Sequence, residues 1–270
     1  MVVQHNMAAS NANRQLGIST NVLSKSTEKL SSGYRINRAA DDAAGLSISE
    51  KMRSQIRGLN KASSNAQDGI SAIQTAEGAL NEAHSILQRM NELATQAAND
   101  TNTTVDRNAI QSEINALTSE VSRIASTTQF NTQNLLDGTF SSKNLQVGAL
   151  NGQKIAIDID TMNAGALSVN ALCVSTFAEA GKAMSAVQKA IEKVSKQRSS
   201  LGALQNRLEH TVNNLDNVAE NTQTAESRIR DTDMASEMVQ YSATSIIQQA
   251  GQSMLAQANS QTQGVLSLIQ

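Results

Sequence analysis

The residues able to do chemistry are few and scattered in this chain of 270 residues. The three histidines, His5, His84 and His210, stand far apart, and none belongs to an HExxH pair or to a Cys/His cluster that could hold a metal ion. The GALNG segment, residues 148–152, has the composition of a hairpin and lacks the spacing of a phosphate-binding loop. We therefore expect no catalytic residue, no metal site and no cofactor, and a protein that is not an enzyme.

Charge and cysteine content exclude further classes of function. The net charge is −2, and the lysines and arginines form no long block or basic stripe, so we expect no nucleic acid among the partners. Cys173 is the single cysteine; we interpret it as a small filler, with a reactive thiol as the alternative. The N-terminus has no apolar signal-peptide core and no stretch approaches ~18 apolar residues, so neither a cleaved signal nor membrane insertion is expected.

Two apolar seams of period seven dominate the chain. A sustained spacing of three and four indicates helices that are held by other helices. The chain contains no proline and only 2% aromatic residues, which suits thin helical bundles. We predict a mainly α fold: an elongated rod of coiled coil and helical bundle with one small β-hairpin, its N- and C-terminal helices side by side. The first seam consists of Met52, Leu59, Ala66, Ile73, Leu80, Leu87 and Ala94, and the second of Val187, Val194, Leu201, Leu208 and Leu215.

Capping residues set the first helix boundaries. A soft helix within 1–42 is expected to end at Gly33, and Asp41 and Asp42 offer an N-cap for a long helix over about 43–99. The apolar face of the soft helix is poor, and so is that of the last stretch of the chain. We expect both terminal helices to order when a partner completes their burial.

The middle of the chain carries the one β signal. Alternation over Leu145–Ile159, with Asn151 and Gly152 between its two arms, predicts a hairpin with a type I′ turn. Further helices are predicted over about 104–127, 176–230 and 234–270.

Polar residues interrupt the second seam at Arg198, Gln205 and Glu226. Polar groups at seam positions lower stability and can fix the register of a coiled coil. The alternative is that the seam turns there to face another partner, and the pattern does not decide between the two.

Long blocks at both ends resemble the signature sequences of bacterial flagellins. Residues 30–59 read LSSGYRINRAADDAAGLSISEKMRSQIRGL, and residues 65–99 read NAQDGISAIQTAEGALNEAHSILQRMNELATQAAN. Residues 225–269 read AESRIRDTDMASEMVQYSATSIIQQAGQSMLAQANSQTQGVLSLI. TQFN at 128–131 and the hairpin also match, so the resemblance covers nearly the whole chain.

This resemblance implies a structural subunit that is exported unfolded through the flagellar type III apparatus and polymerises into the filament for swimming motility. The implied location is secreted, in the extracellular bacterial flagellum. The implied partners are further copies of the chain in a helical homopolymer, the filament cap, hook-junction proteins and an export chaperone. A hook–filament junction protein, which has similar terminal helices, is the alternative.

The resemblance also implies a division into domains. Residues 1–42 with 232–270 correspond to the terminal-helix coiled coil of the inner tube, D0, and residues 43–174 with 175–231 to the helical bundle D1, with its hairpin at about 145–159. The segment between the two halves is too short for a large outer domain, so we expect a minimal flagellin. The residues expected to carry assembly are Val22, Leu23, Leu30, Ile247, Met254 and Leu268.

Three further residues match positions at which flagellins contact the host Toll-like receptor that senses them. They are Arg89 and Leu93 in QRMNEL and Glu113 in SEI. Arg89 and Leu93 are four residues apart and share a helical face, so together they would form an anchor pair at the surface. From the pattern alone, Leu93 would pack on a third helix and Arg89 would be a solvated charge. The resemblance favours a receptor epitope that also serves as a subunit interface.

Overall fold

The computed structural model describes the backbone of residues 6–267 and the side chains of residues 6–261. Within that range the predicted mainly α fold is confirmed, with the terminal helices paired along their length. The helices are α1 Met7–Ser32, α2 Ala43–Ala97, α3 Thr104–Thr127, α4 Phe177–Arg230 and α5 Met234–Ser267. The strands are β1 Gln129–Phe130, β2 Gln133–Asn134, β3 Lys143–Gln146 and β4 Lys154–Ile157.

The chain folds into two compact units. The terminal unit comprises the described parts of residues 1–54 and 221–270, and the central unit comprises residues 55–220. Whether the assembly domains divide at residues 42 and 232, as the resemblance implies, stays a prediction.

The first helix boundaries follow the expected caps. Gly33 ends α1 with φ 76°, a left-handed conformation that glycine adopts without strain, and its N–H donates to the carbonyl of Lys29 at 2.8 Å. The carboxylate of Asp42 accepts a hydrogen bond from the N–H of Gly45 at 2.8 Å, which satisfies a free amide in the first turn of α2. The predicted turn and cap between these helices are therefore confirmed.

The core of the central unit is built on the two predicted seams. From Leu59 to Ala94 and from Val187 to Leu215, every seam residue is buried. Helices α2 and α4 run antiparallel. Near one end Ser63 Oγ donates to Asp216 Oδ1 at 2.9 Å, and near the other end Thr95 Oγ1 donates to Met184 Sδ at 3.2 Å. Apolar residues of α3 and of the irregular segments 135–136 and 162–174 complete this core: Ile110, Ile114, Val121, Leu135, Leu136, Met162, Leu167, Val169 and Val174.

A further row of buried residues runs beside the α4 seam, and it lies one residue before the row that contains Arg198 and Gln205. Ala183, Ala190 and Gln197 are buried, and Gln197 Nε2 donates to the carbonyl of Asp158 at 3.0 Å. Arg198 therefore sits at the edge of the core, only half-buried, with its guanidinium 3.9 Å from Glu77 Oε1. The buried polar residue is therefore Gln197, and not its neighbour Arg198, which the sequence pattern had indicated.

The predicted hairpin forms, with a different turn. Strands β3 and β4 pair antiparallel with Leu145 opposite Ile155. Gly152 has φ 88°, but Asn151 is not among the residues with positive φ, whereas a type I′ turn needs positive φ at both positions. The type I′ prediction is therefore wrong; positive φ at the second central residue alone fits a type II turn.

A smaller hairpin directly follows α3. Strand β1 pairs with β2 through the two-residue connection Asn131–Thr132, whose φ values are 47° and 63°. Positive φ is uncommon for a β-branched residue such as threonine. The backbone bonds of the hairpin hold this conformation in place.

Candidate functional site

The terminal unit is an antiparallel pair of helices, α1 and α5. Gln248 Nε2 of α5 donates to Thr20 Oγ1 of α1 at 3.3 Å, and Lys29 Nζ of α1 lies 3.5 Å from Glu237 Oε2 of α5. Both contacts are polar, and Glu237 is buried, at 7% exposure. Apolar atoms also lie between the two helices, since a Cβ added at Gly251 of α5 would be 3.5 Å from Leu16 Cδ1 of α1.

Helix α5 also carries large apolar side chains that are open to solvent. Val239 is 72% exposed, Ile246 66%, Ile247 57% and Met254 64%. A helix that packs as part of an isolated domain normally turns its apolar stripe towards the core and its polar residues outwards. Here four large apolar side chains of α5 are exposed instead, which indicates an apolar surface built for a contact beyond the α1–α5 pair.

The residues expected to carry assembly are half-buried in α1 and exposed in α5. Val22, Leu23 and Leu30 of α1 are half-buried. Ile247 and Met254 of α5 are exposed. Leu268 lies outside the described residues, so its role stays a prediction.

A compact junction, missed by sequence reasoning, ties the end of α1 to the end of α4. The N–H of Arg35 donates to the carbonyl of Arg230 at 2.7 Å, and Tyr34 forms a β-bridge with Asp231. The guanidinium of Arg230 stacks 4.6 Å from the ring centroid of Tyr34 and donates to Glu50 Oε1 at 2.9 Å. This hydrogen bond lowers the pKa of Glu50 below its ordinary value. A lone Tyr and Arg at helix ends carry no periodic signal, so the sequence did not show that they meet.

The candidate receptor site contains an exposed ion pair between two helices. Arg89 Nη2 of α2 lies 3.0 Å from Glu113 Oε1 of α3, and Arg89 Nη1 lies 3.2 Å from Glu92 Oε2. The hydrogen bonds to Glu113 and Glu92 raise the pKa of Arg89 above its ordinary value. The guanidinium is thereby held in one place on the surface, although its side chain is still 52% exposed.

Leu93 does not join Arg89 at that surface. It is 2% exposed and belongs to the core cluster that includes Ile110 and Ile114 of α3. The expectation of an exposed leucine beside Arg89 is therefore wrong. The structure agrees instead with the pattern alone, which packs Leu93 on a third helix: α3 covers a second side of α2 and buries this residue.

Other reactive groups do not converge. Among the residues that the structure describes, no three His, Cys, Asp or Glu side chains are grouped so as to hold a metal ion. Cys173 is exposed, so the expectation of a small apolar filler is wrong; a hydrogen bond with Ser175 lowers the pKa of its thiol. None of the described helices has the length and apolar character needed to span a bilayer.

Comparison with known families decides the affiliation of the chain. Residues 3–141 match the bacterial flagellin N-terminal helical region, and residues 184–269 match the bacterial flagellin C-terminal helical region. The chain belongs to the bacterial flagellin family. Flagellins are structural proteins of the bacterial flagellum, which serves motility. The two matched regions contain α1 and α5, so the paired terminal helices belong to what this flagellin shares with its family.

Full-length relatives and a solved structure agree with this affiliation. The flagellin of Halalkalibacterium halodurans is 55% identical over 271 residues, with all of both chains aligned. The flagellin of Bacillus subtilis is 50% identical over 303 residues, again with all of both chains aligned. The crystal structure of Bacillus cereus flagellin aligns with a TM-score of 0.50 at 30% identity, over 56% of this chain and 88% of that one.

Proposed function

We propose that this flagellin is a structural subunit that polymerises outside the cell into the flagellar filament and so supports swimming motility. Its relatives include a flagellar filament core protein of Treponema maltophilum, 49% identical over 286 residues. The proposed partners are further copies of the chain in a helical polymer, the filament cap, hook-junction proteins and an export chaperone.

One observation carries this proposal: the terminal unit lacks an apolar core of its own. Among its described residues, Ile36 is the single large apolar side chain that is buried, whereas α5 exposes Val239, Ile246, Ile247 and Met254. Fully burying such a side chain stabilises a structure by about 1.5–3 kcal/mol. Neighbouring copies in a polymer would supply that burial, and the terminal helices would be the main source of assembly energy.

Polymerisation of the purified chain tests the proposal. Short seeds are added to monomer, and growth is followed by negative-stain electron microscopy and by light scattering. We expect the wild type to form long filaments and Met254→Asp to remain monomeric with an unchanged central unit by circular dichroism. Gln249→Asp is the matched control, because it places the same charge on the same helix without removing an apolar group. Equal growth of Met254→Asp and the control would contradict the role of this surface.

The alternative is a hook–filament junction protein, with similar terminal helices. It predicts short rings in the same images, under conditions where a control flagellin grows long filaments. The high identity to flagellins over the full chain favours the filament subunit.

We further propose that Arg89 and Glu113, supported from the core by Leu93, bind the host Toll-like receptor that senses flagellin. The supporting observation is the exposed ion pair between α2 and α3, which fixes a guanidinium and a carboxylate at one place on the surface. Arginines held in a defined geometry are frequent binding hot spots. Leu93 would act by positioning Arg89 one turn away.

Binding of the monomer to the receptor ectodomain, measured by surface plasmon resonance, tests this second proposal. We expect Arg89→Ala to weaken binding by about tenfold or more, as hot-spot truncations do. Arg123→Ala is the matched control, because Arg123 also forms an exposed pair with a glutamate, Glu120, at 2.5 Å. Equal affinities of the two variants would remove Arg89 from the epitope.

A further inference from the structure

Helix α4 gathers lysines that are dispersed in the sequence into a basic stripe. We define the lysine stripe as Lys182, Lys189, Lys193 and Lys196, all of them exposed. The expectation that the chain has no basic stripe is therefore wrong for this helix. Lys182 pairs with Glu179 at 3.0 Å, but no ion pair within the described residues engages Lys189 or Lys196. Three of the four lysines line an open groove of about 670 Å³ between α4 and the 166–168 segment.

The C-terminal half of the same helix carries an acidic stripe. We define it as Glu209, Asp216 and Glu220, all of them exposed. Glu209 accepts a hydrogen bond from Gln205 at 2.9 Å and Asp216 accepts one from Ser63 at 2.9 Å, and neither carboxylate lies in an ion pair among the described residues. A basic stripe and an acidic stripe thus lie on one helix, in separate parts of its length.

The stripes lie on opposite sides of the buried seam. Successive residues of an α-helix are rotated by about 100°. The residue before a seam position and the second residue after it therefore lie on one side of the seam. The residue directly after a seam position lies on the other side. Lys193 precedes Val194 by one, and Lys189 and Lys196 follow seam residues by two. In contrast, Glu209 and Asp216 directly follow Leu208 and Leu215. The basic and acidic stripes therefore flank the core from its two sides.

The spacing within the two stripes is the same and runs in the same direction. Lys182, Lys189 and Lys193 are separated by seven and then four residues, as are Glu209, Asp216 and Glu220. Two α4 helices placed side by side in parallel could align all three positions of one stripe with those of the other. If the two helices were antiparallel, a spacing of seven then four residues would face a spacing of four then seven. The three positions could then not all align.

A glycine near each stripe leaves room for a neighbouring chain. Gly181 lines the lysine groove, and Gly202 follows the seam residue Leu201 on the acidic side. A Cβ added at either position would meet nothing within 4 Å in the monomer. Glycine destabilises a helix interior relative to alanine, so its presence at two open positions agrees with a close approach by another surface.

We propose that the lysine stripe of one copy of this chain binds the acidic stripe of a neighbouring copy in parallel orientation. This inference rests on the proposed filament function and names one of its lateral contacts. Copies related mainly by translation along a polymer make heterologous contacts, in which one side of each subunit meets a different side of the next. Opposite charges on the two flanks of α4 satisfy that requirement, and they exclude copies set in the wrong direction or register.

Charge reversal of each stripe, and of both together, tests the contact in seeded polymerisation. The variants are Lys182→Glu with Lys189→Glu, Glu209→Lys with Asp216→Lys, and the fourfold combination, because the matched spacing sets Lys182 opposite Glu209 and Lys189 opposite Asp216. Lys61→Glu with Lys154→Glu is the control, since it makes the same charge change at exposed sites outside the stripes. We expect each single-stripe variant to raise the critical concentration about tenfold, because two attractive pairs become repulsive. The fourfold variant, which exchanges the two charges, is expected to recover wild-type growth.

Salt provides the second measurement. At about 1 M ionic strength the Debye length falls to roughly 3 Å, so the defect of each single-stripe variant should shrink towards the control. The contact would be overturned if the wild type formed filaments and the single-stripe variants grew equally well. It would also be overturned if the fourfold variant did not recover growth. Neither outcome would contradict the filament proposal. A wild type that never polymerises would contradict the filament proposal itself. Loss of binding to heparin in the lysine variant, with normal growth, would assign the stripe to a polyanion instead.

Discussion

The two units of this molecule place their apolar residues in opposite ways. In the central unit, Leu80 and Leu87 are fully buried, with Ile114 of α3 in the same cluster. In the terminal unit, Ile246 and Ile247 are exposed. The same helical physics operates in both, because each helix shows apolar residues at helical spacing. The difference lies in where the partner is: the central unit supplies its own, and the terminal unit leaves that place open.

The largest expected effect comes from opening the core of the central unit. Leu80→Ala removes a side chain with no exposed surface and should lower the free energy of unfolding by about 2–5 kcal/mol, because a cavity remains. Urea unfolding followed by circular dichroism measures this loss. A change below about 1 kcal/mol would mean that the seam does not hold the central unit.

An intermediate effect is expected at the junction of the terminal unit. Arg230→Ala removes the stacking on Tyr34 and the hydrogen bond to Glu50, and should cost about 1–2 kcal/mol. Amide hydrogen exchange in α1 and α5 should accelerate, while the central unit keeps its protection. Arg228→Ala is the matched control, since Arg228 is an exposed basic residue in the same last turn.

The same junction predicts a dependence on pH. The pKa of Glu50 is lower in the folded state than its ordinary value of 4.5, chiefly because Arg230 donates to its carboxylate. Its contribution is therefore fully present above the unfolded pKa and is lost as the pH falls through the folded value. Glu50→Gln should remove this part of the acid sensitivity of α1 and α5 exchange. An unchanged pH profile in Glu50→Gln would assign that sensitivity to other carboxylates.

The smallest expected effect sharpens the comparison most. Ile247→Ser removes a large apolar group that is 57% exposed, so the unfolding free energy of the monomer should change by less than about 0.5 kcal/mol. The same variant should raise the critical concentration for polymerisation severalfold. A large loss of monomer stability would show that Ile247 of α5 is already packed in the free chain. It would contradict the difference between the two units.

Sequence periodicity predicted the helices and both seams because burial against a partner helix leaves a repeating apolar pattern. It placed the end of α2 within two residues and Gly33 at the C-cap of α1. The pattern also indicated that Leu93 packs on a third helix, as the structure shows, whereas the resemblance favoured a surface position. Periodicity missed the contact of Arg230 with Tyr34, because such residues leave no periodic pattern. The sequence does not show that apolar residues of α5 are exposed, because exposed and buried apolar residues follow the same helical spacing.

The junction at Tyr34 and Asp231 also bears on the order of folding. Its hydrogen bonds join segments far apart in the chain; Arg35 and Ile229, which bond there, are separated by 194 residues. Contacts of such long sequence separation form late, since the entropy of closing the intervening loop must be met before they contribute. The terminal helices should therefore be the last to pair in a newly folding chain, and both ends of the protein stay accessible longest.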